Sequence, residues 1–230
     1  MTHLDTELPK LRKHLIEMMD LVKSQVGKGY DAIKTFDNDL AYDIIANEKR
    51  VNALELKIDR DCENNLALYN PVAIDLRFIM ASYNINSTLE RIGDNAESIA
   101  RYILHFDSPF SEDIKARLRF EQMFELVMAM LDDVIEAYKN EDTRLARKIF
   151  KRDLVINEIH ALSPEIIEQL IIENPDKIKQ LLYIFSVIKK LERIGDLAKN
   201  IAEELIFYIE AKVLKHKNKD SEKKIKKDPL

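Results

Sequence analysis

Tryptophan is absent from this 230-residue chain, cysteine occurs once, and there are only four glycines and six prolines. The lone Cys62 excludes an intramolecular disulfide, and nothing points to an oxidising compartment. Scarce glycine and proline leave little turn chemistry for a strand-rich fold, while abundant Ala, Leu, Ile, Glu and Lys favour helices. No apolar run approaches the ~20 residues of a membrane span. The opening Met1-Thr2-His3-Leu4-Asp5 lacks a basic stretch followed by an apolar one, so no signal peptide is expected and the expected location is the cytoplasm. Missing too are a glycine-rich phosphate loop, Gly-x-Ser-x-Gly, Cys-x-x-Cys and His-Glu-x-x-His. No nucleophile stands beside an evident base.

What is present is charge, unevenly spread. The net value is −5, yet residues 211–230 hold eight lysines against Asp220, Glu222 and Asp228. The rest of the chain therefore carries −10. Such a body repels nucleic acid and attracts cations. The basic end reads as a solvated, frayed terminus, with contact to anionic lipid at a membrane periphery, to RNA or to an acidic partner as the alternatives.

Helical periodicity starts at once. Leu8, Leu11, Leu15, Met18 and Val22 recur at three- and four-residue steps, and Gly27 and Gly29 are expected to loosen or end this helix before Tyr30. A second helix is expected over Asp39 to Tyr69. Asn70-Pro71 reads as the N-cap and first turn of a third helix, reaching about Phe106. Phe106-Asp107-Ser108-Pro109 breaks the pattern. A fourth helix follows on the stripe Phe120, Met123, Phe124, Val127, Met130, Leu131, Val134 and Tyr138. The fifth is expected from Asp142 to His160, with Ser163-Pro164 opening a short continuation, and the sixth from Asn174-Pro175 to about Lys212.

The second three helices repeat the first. Leu89-Glu-Arg-Ile-Gly-Asp94 recurs as Leu191 to Asp196, 102 residues on. Asn70-Pro71 recurs at a spacing of 104, and Leu40-Ala41 as Leu145-Ala146 at 105. The sequence thus predicts an all-α protein made of two tandem, pseudo-symmetric three-helix bundles from an internal duplication. The first repeat covers residues 1–107 and the second 108–215, with a basic tail over 216–230.

Each motif puts a glutamate and an aspartate four residues apart on one helix face: Glu90 with Asp94, and Glu192 with Asp196. Like charges so placed cost a few tenths of a kcal/mol unless something compensates. Between them Gly93 and Gly195 cost about 1 kcal/mol each relative to alanine, and let an ion or a neighbouring helix approach the backbone. The second helix adds a polar stripe of Glu48, Asn52, Glu55 and Asp59, about 80° from its apolar stripe, where it meets Glu90, Asp94 and Glu97. Its counterparts in the fifth helix are Asp153, Asn157, His160 and Pro164, three of them able to bind metal. An isolated Glu-x-x-x-Asp is usually a solvated face. Two copies, each with a second polar stripe, favour carboxylate ligation between facing helices. The expected ions are divalent or trivalent, iron first, with manganese, magnesium or zinc as alternatives. Arg91 and Arg193 read as intrahelical partners of the nearby aspartates, Asp75 and Arg77 as another structural pair, and the remaining histidines as incidental.

Asn70-Pro-Val-Ala-Ile-Asp-Leu-Arg77, Leu89-Glu-Arg-Ile-Gly-Asp-Asn-Ala96, and Leu191 to Ala198 with Ile201 to Tyr208 resemble the PhoU family of phosphate-signalling regulators. The resemblance implies a pair of three-helix bundles whose acidic motifs hold metal clusters in some members. It also implies negative regulation of phosphate uptake and of the phosphate-starvation response. The implied partners are the ATPase subunit of a phosphate ABC importer and a sensor histidine kinase, met at the inner membrane face. A homodimer is expected, and no enzymatic activity. Carried over by position, Glu90, Asp94, Glu192 and Asp196 fall on the metal motifs, and Glu48, Glu55 and Asp59 on the acidic second helix. The second half departs at Asn157, His160 and Pro164. A carboxylate-bridged metalloenzyme, a phosphohydrolase or oxidase, is the competing reading, and a purely structural bundle the third.

Overall fold

The structure, a computed structural model, describes residues 3–211. Every regular element among them is helical. α1 runs over Leu4–Thr35, α2 over Asn38–Tyr69 and α3 over Ala73–Ile103. After a short α4, Glu112–Arg117, come α5 (Phe120–Asn140), α6 (Thr143–Glu173), a 3-10 turn (Pro175–Lys177) and α7 (Ile178–Glu210). The basic tail expected over 216–230 lies outside the described residues.

The duplication is visible at the joints as well as in the motifs. Phe36 and Glu141 both close their helices in the left-handed region, and Asp37 and Asp142 then donate backbone N–H groups to Ala32 and Ala137 at 3.0 Å each. The same two aspartates cap the next helices. Asp37 accepts from the N–H groups of Asp39 and Leu40, and Asp142 from those of Arg144 and Leu145. All five residue pairs are related by 105 positions, the spacing read from Leu40-Ala41.

Four boundaries differ from expectation. Asn174-Pro175, expected to open the sixth helix, leads into the 3-10 turn, and α7 begins only at Ile178. Gly27 and Gly29 do not end α1, which continues to Thr35. Gly29 is buried where a Cβ would stand 3.6 Å from Ile99 and 3.9 Å from Ile44, so this glycine sits in a helix crossing. Asn70 does not open α3. It takes the left-handed conformation (φ 47°) that terminates α2, and α3 begins only at Ala73. α6 passes straight through Pro164. A proline there strips one amide from the helix ladder, and the Ser163 hydroxyl donates instead to the stranded His160 carbonyl at 2.7 Å.

α1, α2 and α3 pack on one another, as do α5, α6 and α7, and the halves meet through α3 against α7 and α1 against α5. The apolar stripes predicted for these helices are buried in one continuous core spanning both halves. At the α1–α5 seam the Arg12 guanidinium lies 4.9 Å from the Phe78 ring and 5.4 Å from the Tyr138 ring. It also donates to the Tyr138 carbonyl at 3.3 Å and to Glu141 at 2.6 Å. Arg77 does not pair with Asp75; its Nε donates to the Tyr208 carbonyl at 3.3 Å and fastens α3 to α7. None of the helices is long and apolar enough to cross a membrane among the described residues.

Candidate metal centres

In the first half the acids of α2 and α3 face one another as the spacing predicts. Ile92, Ala96, Ile99 and Ile103 turn into the core, which leaves Glu90 half-buried and Asp94 exposed. From α2, Glu48 points inward and is buried, while Glu55 and Asp59 are half-buried. Asn86 of α3 holds this edge in place. Its amide donates to the Glu55 carbonyl at 2.9 Å and to the Asp59 carboxylate at 2.8 Å.

Glu48 is the centre of the arrangement. Neither of its carboxylate oxygens has a hydrogen-bond partner. Burial, followed by the charges of Asp94, Glu97, Glu90 and Glu55, pushes its carboxyl up to about 7. Burial and then Asp59 and Asp94 raise Glu55, and burial and then Asp94 and Glu55 raise Glu90. Gly93 makes room for this inward carboxylate. A Cβ built there would stand 3.0 Å from Val51 Cγ1, 3.5 Å from Glu48 Oε2 and 3.6 Å from the Gln25 side-chain oxygen.

Gln25 was not among the residues singled out by sequence. It is buried, with both amide atoms unpartnered, and it reaches the cluster from α1. The signal was present, for Gln25 follows Val22 by three and so continues the apolar stripe with a polar group. A buried amide and carboxylate without partners cost of the order of 1–3 kcal/mol each. Orphaned oxygens of this kind, in an all-oxygen donor set, fit a hard or borderline cation. Among the described residues no three His, Cys, Asp or Glu side chains converge tightly enough to enclose an ion.

The second half is built differently. Asp153 of α6 is buried at the position matching Glu48, and a Cβ on Gly195 would stand 3.9 Å from its Oδ1. Its other oxygen accepts from Lys199 Nζ at 2.7 Å and from the Asn157 amide at 3.3 Å. Lys199 also lies 3.5 Å from Asp196. Burial pulls the Lys199 amine down, but its bond to Asp153 and the charges of Asp153 and Asp196 outweigh that and hold it above its ordinary value. Burial, then Asp196, raises Glu192, with His160 opposing. His160 stacks on Phe185, centroids 6.5 Å apart. Pro164, where Asp59 stands in the first half, supplies no ligand. The deepest carboxylate here thus has a cation on one oxygen, while its Oδ1 and the Asn157 side-chain oxygen are buried without hydrogen-bond partners.

Arg91 and Arg193, expected to pair with the aspartates on their own helices, instead line two separate clefts between α3 and α7. Arg91 lines one with Tyr83, Asn84 and Thr88, and Arg193 the other with Tyr102, Phe185 and Lys189.

Residues 15–103 and 120–205 each match the family model described as the PhoU domain. A "phosphate-specific transport system accessory protein PhoU homolog" from Aquifex aeolicus (strain VF5) is 35% identical over 92% of this chain and 95% of its own length. A Burkholderia protein of the same description is 35% identical over 92% of this chain and 91% of its own length. The crystal structure of PhoU from Pseudomonas aeruginosa superposes with a TM-score of 0.84 at 29% identity, covering 91% of this chain and 100% of that one. The phosphate transport system regulatory protein PhoU from Streptococcus pneumoniae gives 0.82 at 28% identity, with 92% and 99% covered. With both repeats matched, and the joints between their helices duplicated as the motifs are, the chain belongs to the PhoU family.

Proposed function

We propose that this chain is an accessory regulator of a phosphate transport system, restraining uptake and the phosphate-starvation response as a metal-binding adaptor. The role comes from relatives named as accessory or regulatory proteins of phosphate transport along nearly their full length. The partners in this reading are the importer's ATPase subunit and a sensor histidine kinase, with the chain docked from the cytoplasm.

The observation that carries the metal part is the unpartnered Glu48 carboxylate, buried beside unpartnered Gln25 and ringed by Glu55, Glu90 and Asp94. Glu48, Glu55, Asp59, Glu90 and Asp94 would hold the ion. Bound there, a cation supplies the positive charge that this cluster lacks and ties α2 to α3. The protein's own residues do the rest. Asn86 fixes the Glu55–Asp59 edge, Gly93 admits the inward carboxylate, and the apolar side of α3 keeps Glu90 and Asp94 on the outer side of the helix. An acidic outer face with no evident nucleophile–base pair suits docking of a partner better than turnover of a substrate.

The test has two arms. Deleting the gene in its host is expected to leave phosphate-scavenging genes active in phosphate-rich medium; normal repression overturns the regulatory reading. Purified protein is expected to carry metal that Glu90→Ala with Asp94→Ala removes. Metal content unchanged in a variant lacking Glu48, Glu90 and Asp94 overturns the metal reading.

A further inference from the structure

The two halves carry the same backbone and different charge chemistry, and the difference concentrates on one position. Lys199 follows Asp196 by three residues, as Glu97 follows Asp94. In the first half that position adds a carboxylate, which acts on Glu48 and is turned outward to Arg101 at 2.6 Å. In the second half it adds an ammonium, seated between Asp153 and Asp196.

Two further replacements run the same way. At the spacing of 105 that relates α1–α2 to α5–α6, Gln25 corresponds to Met130, a fully buried apolar side chain. Asp59 corresponds to Pro164. The second half has therefore lost the amide that lines the first cluster and one of its flanking acids. It has gained a resident cation against its most buried carboxylate.

We propose that Lys199 is the built-in counter-ion of the second half, a fixed replacement for a metal ion, so that metal binding in this protein is confined to the first half. An ammonium 2.7 Å from Asp153 Oδ2 takes one oxygen of that carboxylate, and although Oδ1 is left without a partner, the ammonium's charge repels a second cation strongly at such range. Asn157 donates to the same oxygen at 3.3 Å. The second half then keeps the shape of an ion-bridged helix pair whatever the metal supply, while the first responds to it. This inference rests on the metal reading of the first half only for its contrast, since the second-half claim has its own test.

That test uses the full chain and Co2+ as the probe, counted per chain by elemental analysis and followed by its visible absorption. Glu90→Ala with Asp94→Ala is expected to abolish Co2+ binding by the natural protein, and Glu192→Ala with Asp196→Ala to leave it unchanged. Lys199→Glu, which installs the first-half residue, and Lys199→Met, which keeps the stem and removes the charge, are each expected to gain a further Co2+. They should also melt lower in chelator and recover with Co2+ more than the natural protein does. Loss of Co2+ from the natural protein on removing Glu192 and Asp196 overturns the proposal. So does failure of both Lys199 variants to gain Co2+, or failure of either to fold even with Co2+ present. Should the natural protein take up no Co2+ at all, the metal reading of the first half falls, and the gain by the Lys199 variants alone upholds or overturns the Lys199 assignment.

Discussion

Replacing Glu48 by glutamine keeps the side chain's shape and removes its charge. In the metal-free protein the Glu48 carboxyl is pushed from an ordinary 4.5 up to about 7, by burial first and then by Asp94, Glu97, Glu90 and Glu55. Between those values the folded chain holds a proton that the unfolded chain has released. Stability from this group is therefore fully present below about 4.5 and is lost as pH rises towards about 7. At ~1.4 kcal/mol per pH unit the ceiling is about 3 kcal/mol. The surrounding acids face solvent, and screening trims the effect to roughly 1–2 kcal/mol. Urea unfolding followed by circular dichroism in the presence of chelator reads this directly. The natural protein and Glu48→Gln are expected to match near pH ~4, and the variant to be more stable by roughly 1–2 kcal/mol near pH ~8. Added Mn2+ should reverse the order, because only the carboxylate gains a bond to the ion. Parallel pH profiles in chelator would refute the claim that Glu48 is folded at an electrostatic cost.

Gly93→Ala is expected to destabilise by about 1 kcal/mol despite alanine's helix propensity, since the new Cβ falls 3.0 Å from Val51 and crowds Glu48; thermal melts check this. Gly195→Ala should be near neutral, because its Cβ meets the movable δ-methyl of Ile156 at 3.2 Å, and the contrast between the two variants is the readout. Arg12→Ala is expected to cost about 2 kcal/mol in chemical denaturation, through lost contact with Phe78 and Tyr138 and the lost bond to Glu141. Cys62 is buried, and burial first, then nearby acids, pushes its thiol up to about 12. It should resist a thiol reagent at pH ~8 in the native protein and react on unfolding, so fast native labelling would contradict the packing.

The helical class, the duplication and the facing acids were legible because each rests on periodicity, which the chain states directly. The boundaries misread were those where one residue serves two structural roles. Asn before Pro reads equally as the start of α3 and as the left-handed end of α2, and only the third dimension shows which backbone groups need a partner. Pro164 reads as a stop until the Ser163 hydroxyl is seen covering the carbonyl it strands. Arg77 pairs across the fold and not with its sequence neighbour, because a helix places residues two apart on different faces. Gln25 and Lys199 were both within reach of the pattern, one as a polar interruption of an apolar stripe and the other as the counterpart of Glu97. What the pattern withholds is distance. That the Lys199 ammonium touches Asp153 follows from how α6 and α7 cross.

The continuous core through both halves changes what the duplication means. Two beads on a string can each be lost, traded or unfolded alone. Here α3 lies on α7 and α1 on α5, so neither half has a complete apolar surface without the other. Folding is settled jointly for the pair, and a substitution that spoils the packing of one repeat is paid in the stability of both. The polar grooves carry no such joint obligation. Each can change its charges with the helices beneath it held in place by the partner repeat, and in that way one scaffold presents two chemically different faces from a single inherited pattern.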